Sequence, residues 1–261
     1  MKSFLMCLLA ICYCYNIHAQ NSHLLLASIA SSNYNLSHSG VWANISNPAS
    51  IHNIQKVSIA ACFQNHFLLK DFSTQLIAFS IPVNKIVSSN TSLYRFGNQL
   101  FSKNELSSSV SLKFNAKLYL GAQLTLQYIH QSEERNHYIA FPQLGAIFQI
   151  NDKLTIASTL RNFLTENSEI QILRCGITYR FDKKIQSHLY CEFSNKKYPQ
   201  IAAALDYRFN SKIYFGFNIS NNATPFHFGI GYLIKNLAFK IDFAYHQQLG
   251  FSPISSITYE K

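Results

Sequence analysis

Leu118–Gln131 reads LYLGAQLTLQYIHQ. Leu120, Ala122, Leu124, Leu126 and Tyr128 alternate with Gly121, Gln123, Thr125 and Gln127, so an extended chain here shows one apolar face and one small, polar face. A helix would scatter both sets around its axis. The same period of two recurs from about residue 56 to the end, interrupted by Asn, Asp, Lys, Ser or Pro. Segments near 105–115, 153–163, 169–181, 184–195, 198–210, 211–221, 226–235 and 236–247 repeat it clearly. Those near 56–67, 71–82, 86–96, 136–150 and 252–261 repeat it less clearly, for about fourteen strands, an even number that suits a closed outer-membrane barrel. No amphipathic helix emerges.

A water-soluble β-sandwich also alternates, and charge separates the two architectures. With the more apolar set of each clear strand taken as the outer face, Lys113, Arg161, Arg174, Arg180, Glu192, Asp206, Arg208, Lys240 and Asp242 all fall on the other face. Lipid demands this, because Arg or Lys at the bilayer midplane costs about 2–4 kcal/mol. The strand glycines share that inner face, and Tyr179, Phe181, Tyr207, Phe209, Tyr232 and Tyr245 lie near strand ends, as interfacial aromatic girdles do. The expectation is an all-β fold, a single-chain antiparallel transmembrane β-barrel over 56–261. Its lumen would be lined by Gly121, Gln123, Gln127, Gly145, Gly176, Arg208, Gly216, Gly229, Gly231 and Asp242. Segments 71–96 and 136–150 fit poorly, since Ile77, Phe79, Ile81, Ile139, Phe141 and Ile147 make both faces apolar. Tight turns are expected at Asn84-Lys85, Asn115-Ala116, Asn151-Asp152, Asp182–Lys184, Asn210-Ser211 and Lys235-Asn236, and longer links near 97–104, 131–136, 164–168 and 221–225.

The chain opens with MKSFLMCLLAICYCYNIHAQ: a basic start at Lys2, a short apolar stretch and small Ala19. This is the form of a secretory signal peptide over 1–19, cut between Ala19 and Gln20. Residues 20–55 would then form an entry segment at or in the lumen, its Asn47-Pro48-Ala49 turn leading into the first strand. Lys and Arg number 22 against 12 acids, a formal charge of +10. In an exported chain this excess meets outer-membrane lipid and lipopolysaccharide rather than nucleic acid. Cys62, Cys175 and Cys191 would survive signal removal, too few and too scattered for a disulfide framework or a zinc site. A hairpin centred on Lys183 sets Cys175 across from Cys191 on the outer face, roughly 4.5–5.5 Å between Cα atoms. Two small side chains facing lipid is the preferred reading, and a disulfide the alternative.

No arrangement of nucleophile and base stands out. His66, His130, His137, His188, His227 and His246 are scattered, without a Gly-x-Ser-x-Gly, His-Glu-x-x-His or Cys-x-x-Cys beside them. Gly229-Ile230-Gly231 sits inside an alternating strand and is no phosphate loop. Asp206 with Arg208, and Lys240 with Asp242, read as pairs that neutralise one another inside the barrel. The reading is a non-enzyme with no cofactor and no bound metal.

Gly40-Val41-Trp42-Ala43 followed by Asn47-Pro48-Ala49, then Asn65–Lys70, and near the end Ala244–Pro253 with Leu249-Gly250, resemble in their order the PorV/PorQ family of outer-membrane proteins of Bacteroidota. The barrel of that family is similar to that of the FadL hydrocarbon transporters. The resemblance implies an outer-membrane barrel with Trp42, Asn47, Pro48 and Ala49 as its entry motif. It also implies a role in docking type IX secretion components or secreted cargo. A FadL-like barrel that carries an apolar small molecule is the alternative.

Overall fold

The computed structural model describes residues 35–38, 40–132, 136–163, 171–195 and 197–261. The segment read as a signal peptide, with Ala19 and Gln20, lies outside them. A one-turn helix α1 (Ala43–Ser46) and a 3₁₀ helix (Pro48–Asn53) precede fourteen strands: β1 Ser58–Asn65, β2 Ser73–Pro82, β3 Val87–Gly97, β4 Phe101–Lys113, β5 Leu118–Gln131, β6 His137–Gln149, β7 Leu154–Arg161, β8 Ile172–Arg180, β9 Ile185–Ser194, β10 Lys197–Arg208, β11 Ile213–Ser220, β12 Phe226–Ile234, β13 Leu237–His246 and β14 Gly250–Glu260. Each strand pairs with its sequence neighbours, and β1 pairs with β14, so the sheet closes into a barrel without an edge. Closure satisfies every ladder, which a strand in lipid needs.

The turns at one end share a local cause. In five of them an Asn or Asp side-chain oxygen accepts the N–H groups two and three residues ahead: Asn84, Asn115, Asn151, Asp182 and Asn210. Such an Asx turn reverses the chain in four residues. The sixth, Lys235-Asn236, uses a left-handed Lys235 at φ 51°. All six lie at one end of the barrel, the turn end, where β1 begins and β14 finishes. Opposite it, at the loop end, the longer link expected near 97–104 is absent. Asn98 makes the same Asx turn onto Leu100 and Phe101, and β4 starts at once.

Facing follows alternation. On β5, Thr125 and Gln127 are buried, whereas Leu120, Leu124 and Leu126 are exposed. The described outer band carries no charge, with one exception that the sequence reading missed: Arg95 points outward on β3, two residues from that strand's loop-end terminus. Segments 71–96 and 136–150 also resolve. Leu76, Ala78, Phe141 and Ile147 face inward and are buried. Leu76, Ala78 and Ile147 have a partner in the N-terminal segment, which runs inside the barrel, and Phe141 lies under Arg161. Cys175 and Cys191 stand opposite each other between β8 and β9 as free thiols.

Candidate functional site: a plugged lumen

Residues 35–38 and 40–54 cross the lumen from wall to wall. Trp42 and Val41 pack against Ala60, Cys62, Leu76, Ala78, Ala244 and Ile254, all inward residues of β1, β2, β13 and β14. Across the barrel, Leu36 and Ala49 join Tyr119, Ile147, Ala157, Tyr190 and Ala202. Ala43, Ala49 and Ile51 have no exposed surface. Each fully buried large side chain contributes about 1.5–3 kcal/mol to seating this plug.

Asn47 is the pivot. Its Oδ1 accepts the Ala49 N–H at 3.0 Å and caps the 3₁₀ helix, with Pro48 in the first helical position. Its Nδ2 donates to the carbonyls of Ala146 on β6 (3.4 Å) and Ser158 on β7 (3.5 Å). The chain can approach this closely because Gly121 and Gly145 lack a Cβ: one there would strike the Pro48 carbonyl and the Asn47 side chain respectively. The wall answers with polar groups. Asn90 donates to the Val41 carbonyl (2.8 Å), Asn44 to Ser92 (3.1 Å), and Ser111 to the Ala49 carbonyl (3.0 Å). His52 stacks on Tyr119 with centroids 3.5 Å apart, its Nδ1 being 2.7 Å from the Ala49 carbonyl. Burial lowers the pKa of both plug imidazoles, His38 and His52, to about 4.

The charged wall residues are mostly matched. Toward the loop end, Lys103 pairs with Glu105 (2.7 Å) and Arg174 with Glu192 (2.8 Å), which also accepts the Tyr190 hydroxyl (2.6 Å). Arg161 lies over the Phe141 ring at 4.2 Å. Lys240 pairs with Asp242 at 3.0 Å. Asp206 does not pair with Arg208, however; it meets His188 at 3.0 Å, which Asn35 of the plug also contacts at 3.3 Å. Arg208 closes β10 and stands exposed at the turn end. Among the described residues no group of three His, Cys, Asp or Glu could hold a metal ion.

Of the other residues singled out from sequence, Trp42, Asn47, Pro48 and Ala49 are buried in the plug. Gln123 and Gln127 face inward beside Thr125 and Glu105. Gly176 lies against Leu36, Gly229 against Asp242 and Gly231 against the Tyr214 ring; Gly216 is buried on β11. The space left by Gly176, Gly229 and Gly231 is thus occupied. The sequence reading missed the wall residues Asn90, Ser92, Ser111 and Tyr119 that receive the plug. Their signal was a run of inward Ser and Asn on β3 and β4, polar enough for a lumen yet uninformative about a partner. On the outer wall, a cavity of about 480 Å³ lies over the loop-end half of β2–β6, floored by Ile77, Leu93, Leu106 and Leu126 with Arg95 at its edge.

No protein-family model and no curated protein sequence matches the chain. Solved structures do. The Pseudomonas putida toluene transporter TodX has a TM-score of 0.64 at 10% identity, over 87% of this chain and 95% of that one. A Pseudomonas aeruginosa FadL homologue has 0.61 at 9%, over 86% and 95%. The CymD monoaromatic hydrocarbon channel has 0.61 at 10%, over 85% and 92%. At such identities the likeness establishes the fold alone: a closed antiparallel barrel of fourteen strands, similar to those of TodX and the FadL homologue.

Proposed function

We propose that this chain is a non-enzymatic barrel of the outer membrane that passes an apolar small molecule, with the lumenal segment as its gate. The observation that carries the reading is the plug itself. It crosses the lumen wall to wall, and several of its attachments are side-chain hydrogen bonds, among them those of Asn44, Asn47 and Asn90, that can exchange for water without breaking a strand ladder. Similar barrels include a toluene transporter and a monoaromatic hydrocarbon channel, which supports an apolar cargo here. Apolar wall residues such as Tyr94 and Phe141 lie on the loop-end side of the plug, where an incoming molecule would first lodge.

A tether tests this. Asn44→Cys with Ser92→Cys, in a Cys175→Ser, Cys191→Ser background, would tie the plug to β3. Uptake of toluene into proteoliposomes is expected to fall at least ten-fold on oxidation and to recover on reduction. Equal uptake by the tethered and free forms would remove the plug from the mechanism.

The PorV/PorQ resemblance supports a second reading, in which the barrel is a membrane-held docking surface for secretion components or cargo. Native purification through a loop tag, followed by mass spectrometry, separates the two. Surface or secretion proteins absent from a control barrel favour docking, and a chain recovered with apolar small molecules favours passage.

A further inference from the structure

The turn end carries an unmatched ring of positive charge. Every one of its six turns holds a Lys: Lys85, Lys117, Lys153, Lys184, Lys212 and Lys235. In four of them the turn chemistry places it, because the Lys N–H is one of the two donors to the Asx oxygen. All six are exposed, and none forms an ion pair among the described residues. Lys56, Lys113, Arg180, Lys183, Arg208 and Lys261 add to the rim, whose acids are Asp152, Asp182 and Glu260. The Asp182 carboxylate is occupied by the N–H groups of Lys184 and Ile185, which hold its pKa below the usual range. With Lys2 set aside, the rest of the sequence has as many acids as bases, so the remaining net charge belongs to this one end.

We infer that this collar binds the phosphate headgroups of anionic phospholipid in the leaflet around the turn end. Three observations favour lipid over an acidic protein. The lysines lie in all six turns, and in a closed barrel those turns encircle the whole perimeter, whereas a protein partner would meet an arc of it. Each turn lies within two residues of an exposed apolar side chain that ends the lipid-facing band, such as Val83, Phe114, Ile150, Phe181, Phe209 and Ile234. A Lys stem at that height lies along the band while its ammonium reaches the headgroups. Short turns face the periplasm in outer-membrane barrels, which puts the collar against phospholipid. The inference rests on the barrel being in a membrane and is independent of what it carries.

The test uses the full folded chain in nanodiscs of equal phosphatidylcholine and phosphatidylglycerol, with retained lipids counted by native mass spectrometry. Retained phosphatidylglycerol should exceed phosphatidylcholine about five-fold, the ratio equivalent to about 1 kcal/mol for one Lys near an anionic surface. The excess should vanish in 0.5 M salt and when all six turn lysines become Gln. If that variant fails to fold, Lys117→Gln with Lys212→Gln should lower the excess in part. Parity in the native chain, or an excess unchanged by the substitutions, would overturn the inference. So would parity together with an acidic periplasmic protein recovered on the collar.

Discussion

Neighbouring residues on one strand have opposite fates, because each side chain of a strand faces the reverse of the last. Leu126 is half exposed on the lipid face, while Gln127 is buried beside Glu105. Leu126→Arg is expected to cost about 2–4 kcal/mol and to cut the folded, heat-modifiable fraction on gels. Gln127→Arg would gain Glu105 as a partner and should fold. Equal yields would refute the facing of β5. Arg95 shows the limit of the same rule: near the rim a guanidinium reaches the headgroups, so a strand end tolerates what its middle does not.

The plug carries two buried imidazoles that make its seating depend on pH. His38 and His52 have pKa values lowered to about 4, chiefly by burial; Asp206 raises and Lys240 lowers that of His38, whereas the Ala49 carbonyl raises and Lys113 lowers that of His52. Both are therefore neutral in the seated plug, and a released plug would protonate them near 6.5. Seating is complete above pH 6.5, weakens by up to about 1.4 kcal/mol per pH unit per imidazole as pH falls toward 4, and changes no further below that. Trp42, the chain's one Trp, sits in the plug's apolar cluster and reports on this directly. Its emission should shift to the red between pH 6.5 and 4. The double variant His38→Asn, His52→Asn should flatten the response, and a shift unchanged by it would assign the pH dependence to other groups.

At the scale of the molecule, closure is what makes the strands compatible with lipid. β14 hydrogen-bonds to both β1 and β13. Deleting Gly250–Glu260 would expose two unpaired edges, each with several backbone groups that cost several kcal/mol apiece in hydrocarbon. The truncated chain should aggregate and never reach the compact gel mobility of the folded barrel. A compact, membrane-embedded product would show that thirteen strands can close.

Much of this architecture was legible in the sequence because it is set locally. Alternation in Leu118–Gln131 assigns both faces of β5, Asn or Asp followed by Lys marks the turns, and the hairpin about Lys183 places Cys175 opposite Cys191. None of these needs knowledge of a distant residue. The inward apolar residues Leu76, Phe141 and Ile147 broke the pattern, since their neighbours lie far away in the chain or on another strand: Trp42 for Leu76, Arg161 for Phe141, Leu36 and Ala49 for Ile147. Likewise Asp206 finds His188 rather than Arg208, the partner that sequence proximity suggested, because β9 pairs with β10 and sets His188 diagonally across from it. The sequence by itself therefore determined the strand count, the outward-facing side and the tight turns, the first two being consequences of a backbone whose side chains point alternately out and in and the third of local Asx chemistry. Only the tertiary structure decided that the lumen is plugged and by which contacts, because packing across a barrel joins residues by distance in space, which the order of the chain does not encode.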